Sequence, residues 1–101
     1  MRLSDHERTV LRQAARESFE PDVVVRLFGS RVDDARRGGD IDLLVETQLI
    51  DVERIAKART RFLSSIYAQL GEQKIDLLID YPGRKLHSAI YEIAHADGVP
   101  L

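Results

Sequence analysis

The chain contains no cysteine, so it forms no disulfide and holds no metal through thiolates. It has no basic surplus either. Fifteen Lys and Arg against 17 Asp and Glu leave a formal net charge of -2, whereas a non-specific polyanion binder is normally basic. Nucleic acid is therefore not expected as a direct ligand. No apolar run approaches the roughly 20 residues that cross a bilayer, and Met1-Arg2-Leu3-Ser4-Asp5-His6-Glu7 lacks the apolar core of a signal peptide. These absences predict a cytoplasmic protein with no membrane partner. Repeats, low-complexity segments and long linkers are also missing. Gly29 to Gly39 lacks the Gly-Lys-Ser/Thr ending of a P-loop. What remains is ordinary: 44% hydrophobic and 32% charged residues over a length of 101. That describes one globular domain over residues 1–101, burying about 65% of its unfolded surface.

Local patterns predict the elements. Ser4-Asp5-His6-Glu7 fits a capping box, and Val10, Leu11, Ala14, Ala15 and Phe19 recur at helical spacing. Glu20-Pro21 ends that helix, since proline cannot donate and its predecessor avoids the helical region. Val23 to Phe28 reads as a β-branched strand, and Ile41 to Glu46 as a second. Ser30 is expected to start a short helical turn, and Arg36-Arg37-Gly38-Gly39 is loop. Asp51 caps a long helix whose stripe is Val52, Ile55, Ala56, Arg59, Phe62, Leu63, Ile66, Tyr67 and Leu70, interrupted only by Arg59, with Gly71 stopping it. Lys74 to Asp80 is a third strand. Lys85 to Ala96 is a last helix carrying Leu86, Ala89, Ile90 and Ile93. The expected architecture is α/β, a small mixed β-sheet with helices packed on one face. If the strands pair in phase, Asp40, Asp42 and Leu44 share a face with Asp76, Leu78 and Asp80, and that face stays partly open.

The informative stretch is Phe28-Gly29-Ser30, then Asp40-Ile41-Asp42. Strand side chains alternate, so Asp40 and Asp42 point the same way, about 7 Å apart by strand rise. Two such carboxylates repel unless a cation lies between them. Hard divalent ions take carboxylate oxygens together with substrate phosphates. A Gly-Ser turn offers backbone N–H groups and a hydroxyl that suit phosphate oxygens. Taken singly, each residue also fits an ordinary exposed carboxylate or solvated loop; the ordered set points to metal-assisted nucleotide chemistry.

The pattern Gly29-Ser30-x9-Asp40-x-Asp42, with Asp76 on a later strand, resembles the nucleotidyltransferase superfamily that includes DNA polymerase beta. Leu27-Phe28-Gly29-Ser30-Arg31 and the short length are most similar to its minimal stand-alone members. The resemblance spans roughly Val23 to Asp80. It implies the nucleotidyltransferase fold, two Mg²⁺ ions held by Asp40, Asp42 and Asp76, and ATP as substrate. By the same resemblance Asp76 takes the proton of the attacking hydroxyl, while Gly29 and Ser30 meet the triphosphate. Arg31, Arg36 and Arg37 could clamp its oxygens, or simply be solvated. The chain departs from the pattern at Val32-Asp33-Asp34, where minimal members often carry a basic residue and a glycine.

Minimal members are often encoded beside a small all-helical HEPN ribonuclease toxin and act as its antitoxin, some by adding AMP to it. The resemblance thus implies a protein adenylyltransferase with a HEPN-type partner. A silent binding module and transfer to a small molecule are the alternatives. An open face with no second domain needs completion by a partner or by another copy of the chain, and Tyr67 and Tyr91 are candidates to seat it. His87, Tyr91 and His95 line one helical face, with the outer two about 12 Å apart by helical rise, too far to share one ion. These histidines are expected at the surface or facing a partner.

Overall fold

The computed structural model describes residues 3–29, 40–85 and 88–101. The elements are α1 (Asp5–Ser18), β1 (Val24–Phe28), β2 (Ile41–Glu46), α2 (Val52–Leu70), β3 (Ile75–Asp80), α3 (Ala89–Asp97) and β4 (Val99–Pro100). They form an α/β fold around a mixed sheet of order β3-β2-β1-β4. β1 runs antiparallel to β2 and to β4, and β2 runs parallel to β3. This architecture is consistent with the small nucleotidyltransferase-like fold expected above.

The capping box is formed in full: Glu7 N–H donates to Ser4 Oγ at 3.0 Å, and Ser4 N–H donates to Glu7 Oε1 at 3.0 Å. Asp51 caps α2 by accepting from Glu53 N–H at 2.9 Å. Gly71 ends α2 with φ +80, a conformation that costs glycine little. The β2–β3 register pairs Asp42 with Asp76, Leu44 with Leu78, and Glu46 with Asp80. In-phase pairing is therefore borne out, and it divides the sheet cleanly. One face carries Ile41, Leu43 and Val45, packed with Leu11, Phe62 and Ile66 of α1 and α2 and backed by Ile75, Leu77 and Ile79. Phe19 meets Phe62 edge-on, with ring centroids 5.9 Å apart.

Three expectations need correction. First, α1 and α2 do share one face, but α3 lies on the other: Ala94 packs with Phe28 and Leu44, flanked by Leu78 and Tyr91. Second, the last helix does not begin at Lys85. Lys85 and Ser88 are non-helical, and the helix starts at Ala89. Its expected apolar stripe faces outward, with Ile90 42% and Ile93 49% exposed, while the small Ala94 allows close approach to the sheet. Third, the C-terminus adds a fourth strand, with Leu101 N–H donating to Val25 O at 2.9 Å. The helical turn expected after Ser30, and Leu86 and His87, lie outside the described residues.

Candidate functional site

Four of the expected site residues fall among the described ones: Gly29, Asp40, Asp42 and Asp76. Ser30, Arg31, Arg36 and Arg37 lie outside them. The sheet brings Gly29, Asp42 and Asp76 together. Phe28 at the end of β1 pairs with Asp42, so Gly29 follows directly beside it. Gly29 has φ +77, which L side chains rarely adopt. Its open side is filled by Asp42: a Cβ there would overlap Asp42 Oδ2 and come within 3.0 Å of Asp42 Cγ. The backbone conformation favours glycine, and any side chain there would have to displace the Asp42 carboxylate. The backbone turn and the Asp42 carboxylate thus form one cradle.

Asp42 is half-buried and Asp76 is exposed. The Asp42 pKa is raised, first by burial, then by the charge and hydrogen bond of Asp76 and by the charge of Asp40, with Lys74 acting the other way. Asp40 is turned partly aside, its Oδ2 lying 3.4 Å from Lys74 Nζ. Among the described residues no three His, Cys, Asp or Glu side chains converge closely enough to hold one ion. Asp42 and Asp76 are brought together; Asp40 stands beside them, drawn toward Lys74. The donor set is nevertheless of the right kind for Mg²⁺. It is all oxygen and its members repel one another; a cation would offset that repulsion, which adds to burial in raising the Asp42 pKa.

A second charged cluster lies on the same face, at the other end of β2 and β3. Glu46 and Asp80 are register partners, so two like charges sit side by side. Asp80 Oδ1 accepts from Arg84 Nε at 2.9 Å, and Asp80 Oδ2 lies 2.8 Å from His95 Nε2. Glu46 pairs with Arg26, and its Oε1 lies 3.7 Å from His95 Nδ1. Arg84 also covers the Tyr91 ring, 3.6 Å from its centroid. Burial alone would raise the Asp80 pKa; the bonds from Arg84 and His95 outweigh it and hold the carboxyl below its ordinary value. This cluster fastens α3 to the sheet. His95 is exposed, as expected, and the in-phase alignment of Glu46 with Asp80 is the sequence signal for the hydrogen-bond donors that gather there.

Tyr91 lies under Arg84 and lines a cavity with the exposed Ile50 and Val52. Tyr67, on α2, lines another with Lys74, the residue paired with Asp40. Ile90 and Ile93 of α3 are also exposed. No helix of the described residues is long and apolar enough to cross a membrane. Comparison with family models finds no match, and a search of curated proteins finds none either.

Proposed function

We propose that the chain is a Mg²⁺-dependent nucleotidyltransferase of the cytoplasm that transfers AMP from ATP to a hydroxyl of a partner protein, the bond between the α- and β-phosphates breaking to release pyrophosphate. The observation carrying this reading is the cradle: a left-handed Gly29 whose open side is filled by the Asp42 carboxylate, with Asp76 in register beside it. A solvated turn followed by chance acidic residues has no need of that fit. In this reading Asp42 and Asp76 hold the metal, joined by Asp40 once it leaves Lys74. Bound Mg²⁺ supplies neutralisation of the charge that develops on the phosphoryl oxygens. Gly29 presents backbone without a side chain, so the triphosphate can come close. Asp76, the more exposed carboxylate, receives the proton of the attacking hydroxyl.

The class of acceptor follows from the resemblance: a small helical HEPN-type toxin, with this chain as its antitoxin. Exposed Ile90 and Ile93 on α3, the helix packed on the carboxylate face of the sheet, support a protein acceptor, since they offer apolar surface on that side of the molecule. The test is co-purification with the neighbouring gene product, then intact-mass analysis with Mg²⁺ and ATP. The expected result is a gain of one or more AMP units on the partner. Asp42→Asn should abolish the gain and preserve the complex. Neutralisation of the partner with no mass change in the unmutated complex would refute transfer and leave a binding module.

A further inference from the structure

The two edges of the sheet differ. β4 is two residues long and ends in Pro100, which lacks an N–H, so that edge is blunted. The opposite edge, β3, is six residues of Ile75-Asp76-Leu77-Leu78-Ile79-Asp80, with no proline and no glycine. Ile41 N–H donates to Lys74 O, and Thr47 N–H donates to Asp80 O. In a parallel ladder a residue's N–H and C=O point to the same side and alternate along the strand. Even-numbered residues of β3 therefore face β2, and Ile75, Leu77 and Ile79 turn their N–H and C=O outward. No strand meets them among the described residues. Their side chains, with Leu63 and Leu70 of α2, are only partly buried at the margin of the core.

We propose that a second copy of the chain pairs with this edge, antiparallel and two-fold symmetric about Leu77. Hydrogen bonding requires outward residues to face outward residues, so the two-fold axis must fall on a residue and not between two. Three central positions give long overlap, and charge decides among them. An axis at Asp76 sets Asp76 against itself. An axis at Leu78 sets Asp76 against Asp80 of the second copy. An axis at Leu77 sets Lys74 against Asp80 and Asp76 against Leu78, with Ile75 facing Ile79 and Leu77 facing Leu77. Only the last places opposite charges directly across the pair and sets no like charges directly opposite each other. It also continues the apolar layer from one copy to the next, a self-complementary interface. Lys74 would then turn from its own Asp40, releasing that carboxylate; this consequence rests on the proposed metal site, while the pairing does not.

The test needs no ligand and no partner protein. Sedimentation of the native chain at tens of micromolar should give twice the chain mass. Leu77→Pro removes an outward N–H that β2 does not use, so the monomer should keep its circular dichroism while the dimer dissociation constant rises at least about thirtyfold. Because the chain has no cysteine, single substitutions Asp76→Cys, Leu77→Cys and Leu78→Cys can be compared under mild oxidation. Only Leu77→Cys should give an efficient disulfide-linked dimer, since residues paired with themselves sit about 5.5 Å apart at Cα. A native chain that sediments as a monomer overturns the proposal and leaves the edge to a strand of some other protein. So does a dimer that survives Leu77→Pro, or fastest cross-linking at position 76 or 78.

Discussion

Gly29→Ala is the substitution that most directly interrogates the cradle, and Gly71→Ala is its natural control. The two glycines share a positive φ, +77 and +80. Each alanine should lose on the order of 1–3 kcal/mol for a positive φ, a fall of at least about 4 °C in Tm for a domain of this size. Around Gly71 nothing lies within 4 Å, so that cost is the whole effect. At Gly29 a methyl would overlap Asp42 Oδ2 and approach Cγ to 3.0 Å and Cβ to 3.3 Å. The carboxylate must swing away, and Asp76 hinders it on one side by repulsion. A double-mutant cycle with Asp42→Ala isolates this term. Gly29→Ala should be milder by at least about 1 kcal/mol when Asp42 is already truncated. Thermal melts of the four proteins measure the coupling. A second reading comes from ligand: Mg²⁺ and ATP together should raise the native Tm more than either alone, by mass action. Gly71→Ala should keep that synergy and Gly29→Ala should lose it. Additive behaviour of Gly29→Ala and Asp42→Ala would refute the contact. Equal synergy in both glycine variants would refute its relevance to the ligand.

Asp76→Asn should fold normally, because the side chain is exposed, and turnover should fall at least about a hundredfold in an AMP-transfer assay. The same variant bears on pH. A carboxyl whose folded pKa is raised contributes stability below its unfolded pKa and loses it as pH rises through the folded value, so Asp42 weakens the metal-free fold at neutral pH. Removing the Asp76 charge should therefore raise the metal-free Tm at pH 7, with the gain shrinking toward pH 3. Asp80 has the opposite sign: its lowered pKa gives stability above the unfolded value that is lost as pH falls through the folded one. Acid melts of Arg84→Ala and His95→Ala should show stability failing at higher pH than in the native chain. The larger shift is expected for Arg84→Ala, whose bond to Asp80 ranks above that of His95.

Most of the fold was legible because its signals are local. The capping box at Ser4 and Glu7, the Asp51 cap and the Gly71 stop each act within a few residues, and each is present. The alternation of Ile41, Leu43 and Val45 fixed which strand face meets the helices, because a one-residue slip would turn every apolar side chain to solvent. The long helix buries Ile55, Ala58, Phe62 and Ile66, a narrower stripe than the apolar residues suggested, and leaves Val52 exposed. β4 gave no signal. Two residues carry no periodicity, and Val99-Pro100 becomes a strand only through pairing with Arg26 and Leu27. The face chosen by α3 was hidden for a similar reason. Its apolar residues predict one buried stripe, but charged partners contributed by three strands and the β3–α3 connection select another.

The distribution of charge on that face is what separates the candidate site from its surroundings. In-phase pairing creates two acidic pairs, Asp42 with Asp76 and Glu46 with Asp80, on the same side of the same two strands. The second pair is answered from within the chain by Arg26, Arg84 and His95, and α3 closes over it. The Asp80 pKa is lowered as a result. The first pair has Asp40 as a further negative neighbour, and Lys74 is the one cation among the described residues that lowers the Asp42 pKa. Repulsion there is left standing, and the Asp42 pKa is raised. A fold that answers one acidic pair with two arginines and a histidine could have answered the other by the same means, for instance with a basic residue in place of Gly29. It carries instead a glycine whose missing side chain makes room for the carboxylate. The uncompensated charge and the glycine that makes room for it meet at one spot, and a divalent cation bound there would offset the repulsion, as the proposed function requires.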